Sequence, residues 1–76
     1  MRLRIHLSGI ARDLAGKESL EIDIENPDQL YDTIRKSIPD LKNYNFLISI
    51  NGEKTENYSA LTAEDTILVF SPVAGG

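Results

Sequence analysis

The residues of this 76-residue chain whose types and order suit chemistry are the last six, Ser71-Pro72-Val73-Ala74-Gly75-Gly76, directly after the apolar run Ile67-Leu68-Val69-Phe70. Pro72 fixes its φ and stiffens the departure from that run. From Val73 through Ala74 to Gly75 and Gly76 the side chains taper to nothing, so a narrow channel could close around backbone alone. Glycine adopts backbone geometries closed to other residues, and its α-carbon has no stereocentre to lose on activation. Fully extended, residues 72–76 reach roughly 17 Å at ~3.3–3.6 Å per residue. The expectation is a flexible tail, 72–76, on a folded domain, 1–71, threaded into another protein's active site with Gly76 as the reacting group. A terminal carboxylate is ionised at neutral pH, with a pKa of about 3.3–3.7, and is a poor electrophile. Acyl chemistry on it requires prior activation, which implies an ATP-using partner.

The remainder offers little to a catalytic reading. There is no cysteine, hence no disulfide and no thiolate nucleophile or ligand. His6 is the one histidine and falls on an outward strand position. No metal-ligand spacing, phosphate-binding loop or dinucleotide fingerprint occurs, and the serines have no base beside them. The chain is expected to be non-catalytic alone, with no metal and no bound cofactor. A net charge of -4 argues against nucleic acid and suits solubility or docking to a basic partner. Three arginines in the first dozen residues resemble an organellar presequence. Leu3, Ile5 and Leu7, however, alternate with polar residues as a half-buried strand does, so the N-terminus reads as mature. No apolar run approaches 18 residues, so no membrane span is expected, and the lack of cysteine fits a reducing, cytoplasmic setting. Asn57-Tyr58-Ser59 reads as a chance sequon.

The elements that must position the tail are legible from periodicity. Residues 2–8 read as a strand with Leu3, Ile5 and Leu7 inward and Arg2, Arg4 and His6 outward. Residues 11–15 fit a helical turn closed by Gly16. In residues 18–25 Leu20, Ile22 and Ile24 oppose Glu21, Asp23 and Glu25, and this strand should pair antiparallel with the first. Asn26, Pro27 and Gln29 supply a cap, a first helical position and a capping box. Leu30, Ile34 and Ile38 then form an apolar stripe that Pro39 ends. Residues 40–45 are turn-rich. Phe46 to Ile50 is a third strand, Asn51-Gly52 a tight hairpin turn, residues 53–58 hold a short strand, and Thr66 to Phe70 is the last. This order predicts an α+β, ubiquitin-like β-grasp: a mixed four- to five-stranded sheet crossed by one main helix. Leu3, Ile5, Leu20, Ile22, Ile24, Leu30, Ile34, Ile48, Ile50, Ile67 and Val69 should share one core. With Ile67 and Val69 facing the helix, Leu68 and Phe70 face the open side of the sheet, as an exposed docking patch at the root of the tail.

Residues 61–76, ending Phe70-Ser71-Pro72-Val73-Ala74-Gly75-Gly76, closely resemble the end of molybdopterin synthase small subunits, the MoaD-type ubiquitin-like sulfur carriers. That family typically reads aromatic-Pro-Pro-Val-small-Gly-Gly. Ala11-Arg12-Asp13-Leu14-Ala15-Gly16 resembles its Arg-acid-Leu-x-Gly segment, and Ile48-Ser49-Ile50-Asn51-Gly52 its third strand end. Ser71 departs from the usual first proline of the tail. Leu7 and Ser8 stand where an aromatic often ends the first strand. The resemblance implies that an ATP-dependent E1-like enzyme adenylates Gly76, which becomes a thiocarboxylate. The tail, Pro72, Val73, Ala74 and Gly75, would then enter a large catalytic subunit and donate sulfur to a pterin precursor in molybdenum cofactor biosynthesis. Leu68 and Phe70 would dock both partners. Sulfur carriage for thiamine or tRNA thiolation, or ubiquitin-like protein modification, remains the alternative.

Overall fold

The computed structural model describes residues 1–72. Strict alternation makes Arg2–Leu7 a strand, β1, whose inward Leu3, Ile5 and Leu7 are buried while Arg2, Arg4 and His6 are exposed. The helical turn expected over residues 11–15 is part of a longer helix, α1, Gly9–Ala15, that buries Ala11. Gly16 ends it in the left-handed region at φ 72°, its N–H donating to the Arg12 carbonyl at 2.9 Å, a conformation glycine adopts without steric cost. β2, Ser19–Asp23, alternates as β1 does and pairs with it antiparallel, Arg4 opposite Glu21 and His6 opposite Ser19.

The main helix begins with one 3₁₀ turn, Pro27–Gln29, and continues as α2, Leu30–Ser37. The Gln29 side-chain oxygen accepts from the N–H groups of Asn26, at 3.1 Å, and Glu25, at 2.8 Å, meeting donors that no helical carbonyl reaches. Leu30, Ile34 and Ile38 are all buried, as their spacing requires. A second 3₁₀ turn, Pro39–Asn43, inserts Leu41 into the same core. β3, Leu47–Ile50, turns through Asn51 at φ 54° and Gly52 at φ 88° into β4, Glu53–Lys54. Positive φ at both turn positions is what a two-residue hairpin demands. β4 is shorter than the strand expected over 53–58, because the chain turns away at Thr55, whose hydroxyl accepts from the Asn57 N–H at 3.1 Å.

β5, Ile67–Phe70, lies in the middle of the sheet, whose order is β2-β1-β5-β3-β4. It runs parallel to β1 and antiparallel to β3. The result is the expected β-grasp, with one face under α2. Every residue assigned to the core is buried except Ile50, which is half-buried at the hairpin end; Leu7, Ala11, Ile38, Leu41, Phe46 and Leu61 complete the core. Among the described residues no helix is long and apolar enough to cross a membrane.

Candidate functional site

The site is the end of β5 and the sheet face around it. Ile67 and Val69 are fully buried under α2, and the pleat turns Leu68 and Phe70 to the opposite side. Both are half-buried rather than fully exposed, because neighbouring strands shield them. Phe70 stands opposite Leu47 of β3, and Leu68 lies between His6 of β1 and Ser49 of β3. Leu47, also half-buried, thus joins Leu68 and Phe70 in one apolar patch. Its signal in the sequence was its alternation with the inward Ile48.

Ser8 anchors the strand immediately before the tail. Its backbone N–H donates to the Val69 carbonyl at 3.1 Å, with its hydroxyl 3.4 Å from the same oxygen. Leu7, at the end of β1, points into the core at 5% exposure and adds nothing to the open face. Pro72 is exposed. It also borders an open groove of about 610 Å³ lined by Tyr31, Phe46, Leu47 and Tyr58, where the rings of Tyr31 and Phe46 stack with centroids 4.4 Å apart. Burial pushes the Tyr58 phenol above its ordinary value, and the Glu56 carboxylate adds to this. Val73, Ala74, Gly75 and Gly76, the rest of the expected site, lie outside the described residues.

Away from the tail the open face is charged. The Arg2 guanidinium reaches Glu21 at 2.6 Å and Arg4 reaches its second oxygen at 3.3 Å. Hydrogen bonds from Arg2 and then Arg4 hold the Glu21 carboxyl below the usual range, and Glu21 in turn raises Arg2. Sequence reasoning placed both arginines outward but did not connect them to Glu21, since that contact depends on the β1–β2 register. Among the described residues no group of three or more His, Asp or Glu is placed to hold a metal ion.

No protein-family model and no curated protein sequence matches the chain. Among solved structures it is similar to small archaeal modifier protein 1 (SAMP1) from Haloferax volcanii, with a TM-score of 0.79, 20% identity and 100% of both chains covered. It is also similar to a protein assigned as molybdopterin converting factor subunit 1 from Pyrococcus furiosus, with a TM-score of 0.77 and 23% identity over 96% of this chain and 99% of that one. A chain from the complex of subunits 1 and 2 of molybdopterin-converting factor from Helicobacter pylori matches with a TM-score of 0.70 and 23% identity, 100% of both chains being covered. The chain therefore has the ubiquitin-like β-grasp fold that these modifier and converting-factor proteins share.

Proposed function

We propose that this chain is a cytoplasmic ubiquitin-like sulfur carrier, the small subunit of a molybdopterin synthase. The observation that carries the reading is the placement of the tail root. A central strand pinned by β1 and β3 delivers the chain to an exposed Pro72 beside an apolar open-face patch. In the sequence Gly75-Gly76 follows three residues after Pro72.

In this reading the Gly76 carboxylate attacks the α-phosphorus of ATP on the activating enzyme, releasing pyrophosphate. A sulfide-equivalent nucleophile then displaces AMP from the acyl adenylate, leaving a thiocarboxylate. The thiocarboxylate sulfur bonds to a carbon of a pterin precursor inside the large subunit, displacing an oxygen substituent there. Water then cleaves the acyl–sulfur bond, which leaves the sulfur on the precursor and returns Gly76 to a carboxylate. Leu47, Leu68 and Phe70 dock the two partners in turn. In this reading the part of the chain is to present and position one carbonyl carbon. The likeness to the archaeal modifiers favours protein modification as the second reading, in which a lysine amine displaces AMP or the partner's thiol instead.

The test is intact mass after incubation with the activating enzyme, ATP and a sulfur donor. A gain of about 16 Da, oxygen replaced by sulfur, is expected, followed by dithiolene formation when the large subunit and precursor are added. Conjugates to lysine without dithiolene would select the second reading. Extension past Gly76 by one residue moves the reacting carbon by about 3.5 Å, whereas attack needs atoms within roughly 3–3.5 Å. The extended chain should therefore transfer no sulfur, and normal turnover by such a chain, shown by mass to be unprocessed, would exclude the terminal carboxylate.

A further inference from the structure

The outer edge of β3 is only half covered. β4 pairs with Ser49 and Ile50, and the Thr55 N–H donates to the Ile48 carbonyl at 3.1 Å before the chain turns away. Among the described residues no strand lies beyond Phe46 and Leu47. The groove of about 610 Å³ opens at this place. It is separate from the sheet face described above, since neither Leu68 nor Phe70 lines it. Its walls are aromatic: buried Phe46, stacked on Tyr31 with the ring planes 11° apart, and Tyr58. Tyr31 and Tyr58 pack against the core yet are only half-buried. Each therefore keeps ring surface and a phenol O–H for an occupant.

Pro72 borders the same groove, and four residues follow it. From β5 across β3 to the line of β4 is two strand spacings, about 10 Å. Four extended residues span about 13–14 Å. The chain after Pro72 is thus long enough to cross the start of β3 and end inside the groove. Val73 and Ala74 are its apolar residues, and Gly75-Gly76 need little width. Lys54 and Glu56, both exposed on the rim, cancel one another. The terminal carboxylate meets no net charge there, so the fit rests on apolar surface and on the tether. A tethered segment acts at an effective concentration of about a millimolar, which a separate peptide must exceed. We propose that residues 73–76 of the free protein lie back across β3 in this groove, with Val73 and Ala74 against Tyr31 and Tyr58. Gly76 is thereby withheld until a partner draws the tail out.

The contact itself stands on the groove; its effect on activation rests on the sulfur-carrier reading, and two measurements separate them. Nuclear Overhauser spectra of the full chain should connect the Val73 and Ala74 methyls to the Tyr31 and Tyr58 rings. A chain ending at Pro72 should shift the signals of Tyr31, Phe46, Thr55 and Tyr58, and Val73→Asp in the full chain should reproduce those shifts. Missing cross-peaks, with shifts confined to Ser71 and Pro72, would overturn the proposal, as would cross-peaks to Leu68 or Phe70 instead. The second measurement is adenylation by an E1-like enzyme. A tail docked half to two-thirds of the time lowers the apparent affinity of the partner about two- to threefold. Tyr58→Ala, with folding verified by circular dichroism, should lower KM by that factor and leave kcat unchanged. At that occupancy the contact adds too little to alter the melting temperature markedly. Cross-peaks with an unchanged KM would refute the withholding of Gly76. A chain that shows the cross-peaks but is not adenylated would sink the sulfur-carrier reading and leave the docked tail standing. Normal adenylation without cross-peaks would do the reverse.

Discussion

Phe70 is the last β5 residue, half-buried and opposite Leu47 of β3. As an aromatic side chain on the open face it offers a partner apolar surface. Phe70→Ala should weaken binding to both the activating enzyme and the large subunit by about 1 kcal/mol or more, measured by titration calorimetry, while the far-ultraviolet circular dichroism stays native. Full affinity for both would remove the docking role. Asp65 makes a different contribution. Its carboxylate accepts from the Thr62 N–H at 2.9 Å and from the Asn51 side-chain amide at 3.1 Å, while the Asn51 oxygen accepts from the Thr66 N–H at 2.9 Å. The Thr62 backbone bond, then Asn51, holds the Asp65 carboxyl below its ordinary value. A carboxyl depressed in the folded state stabilises the fold above its unfolded pKa of about 3.9 and loses that contribution as pH falls through the lower folded value. Asp65→Ala should therefore flatten the acid side of the stability profile below about pH 4. An unchanged profile in acid urea denaturation would show that the link between hairpin and loop carries no free energy. That Asp65 meets Asn51, 14 residues away, depends on how β3 and β5 come together.

At the scale of elements, the helix rests on one buried stripe and a few local signals. Ile34 is 0% exposed at the centre of the stripe, and Ile34→Ala should cost ~2–5 kcal/mol through the lost side chain and the cavity it leaves, read from urea unfolding. An unchanged midpoint would mean the stripe does not face the sheet. Gly16 closes α1 at φ 72°, and nothing lies within 4 Å of where a Cβ would sit. The penalty for Gly16→Ala is thus one of backbone conformation alone, about 1–2 kcal/mol, and Gly16→Asn should recover part of it because asparagine tolerates that region. Equal stability of the alanine and asparagine variants would contradict this account. Caps, the hairpin turn and strand phases were legible because each is set by residues within a few positions of one another. The full extent of α1 was not, because it depends on Ala11 finding a place against the core. Nor was the shortness of β4, because that follows from local bonds at Thr55 that divert the chain.

Among the described residues, the strand ladders and the buried core lie within residues 2–70, so folding and reactivity should separate cleanly. Removal of residues 73–76 should leave the melting temperature unchanged while abolishing sulfur transfer. A marked drop in melting temperature would mean that the tail belongs to the folded unit. By itself the sequence determined the element order, the inward and outward faces of each strand and the helix stripe. It also supplied the one segment suited to acyl chemistry. These are properties of period, proline, glycine and side-chain size, all short-ranged along the chain. Only the tertiary structure decided that β5 lies between β1 and β3. From that placement follow the pairing of Phe70 with Leu47 and the share of Phe70 left to a partner. The capture of Glu21 by two arginines also waited on strand register. Register is fixed by how two alternating patterns bury their apolar faces together, and neither strand specifies that alone.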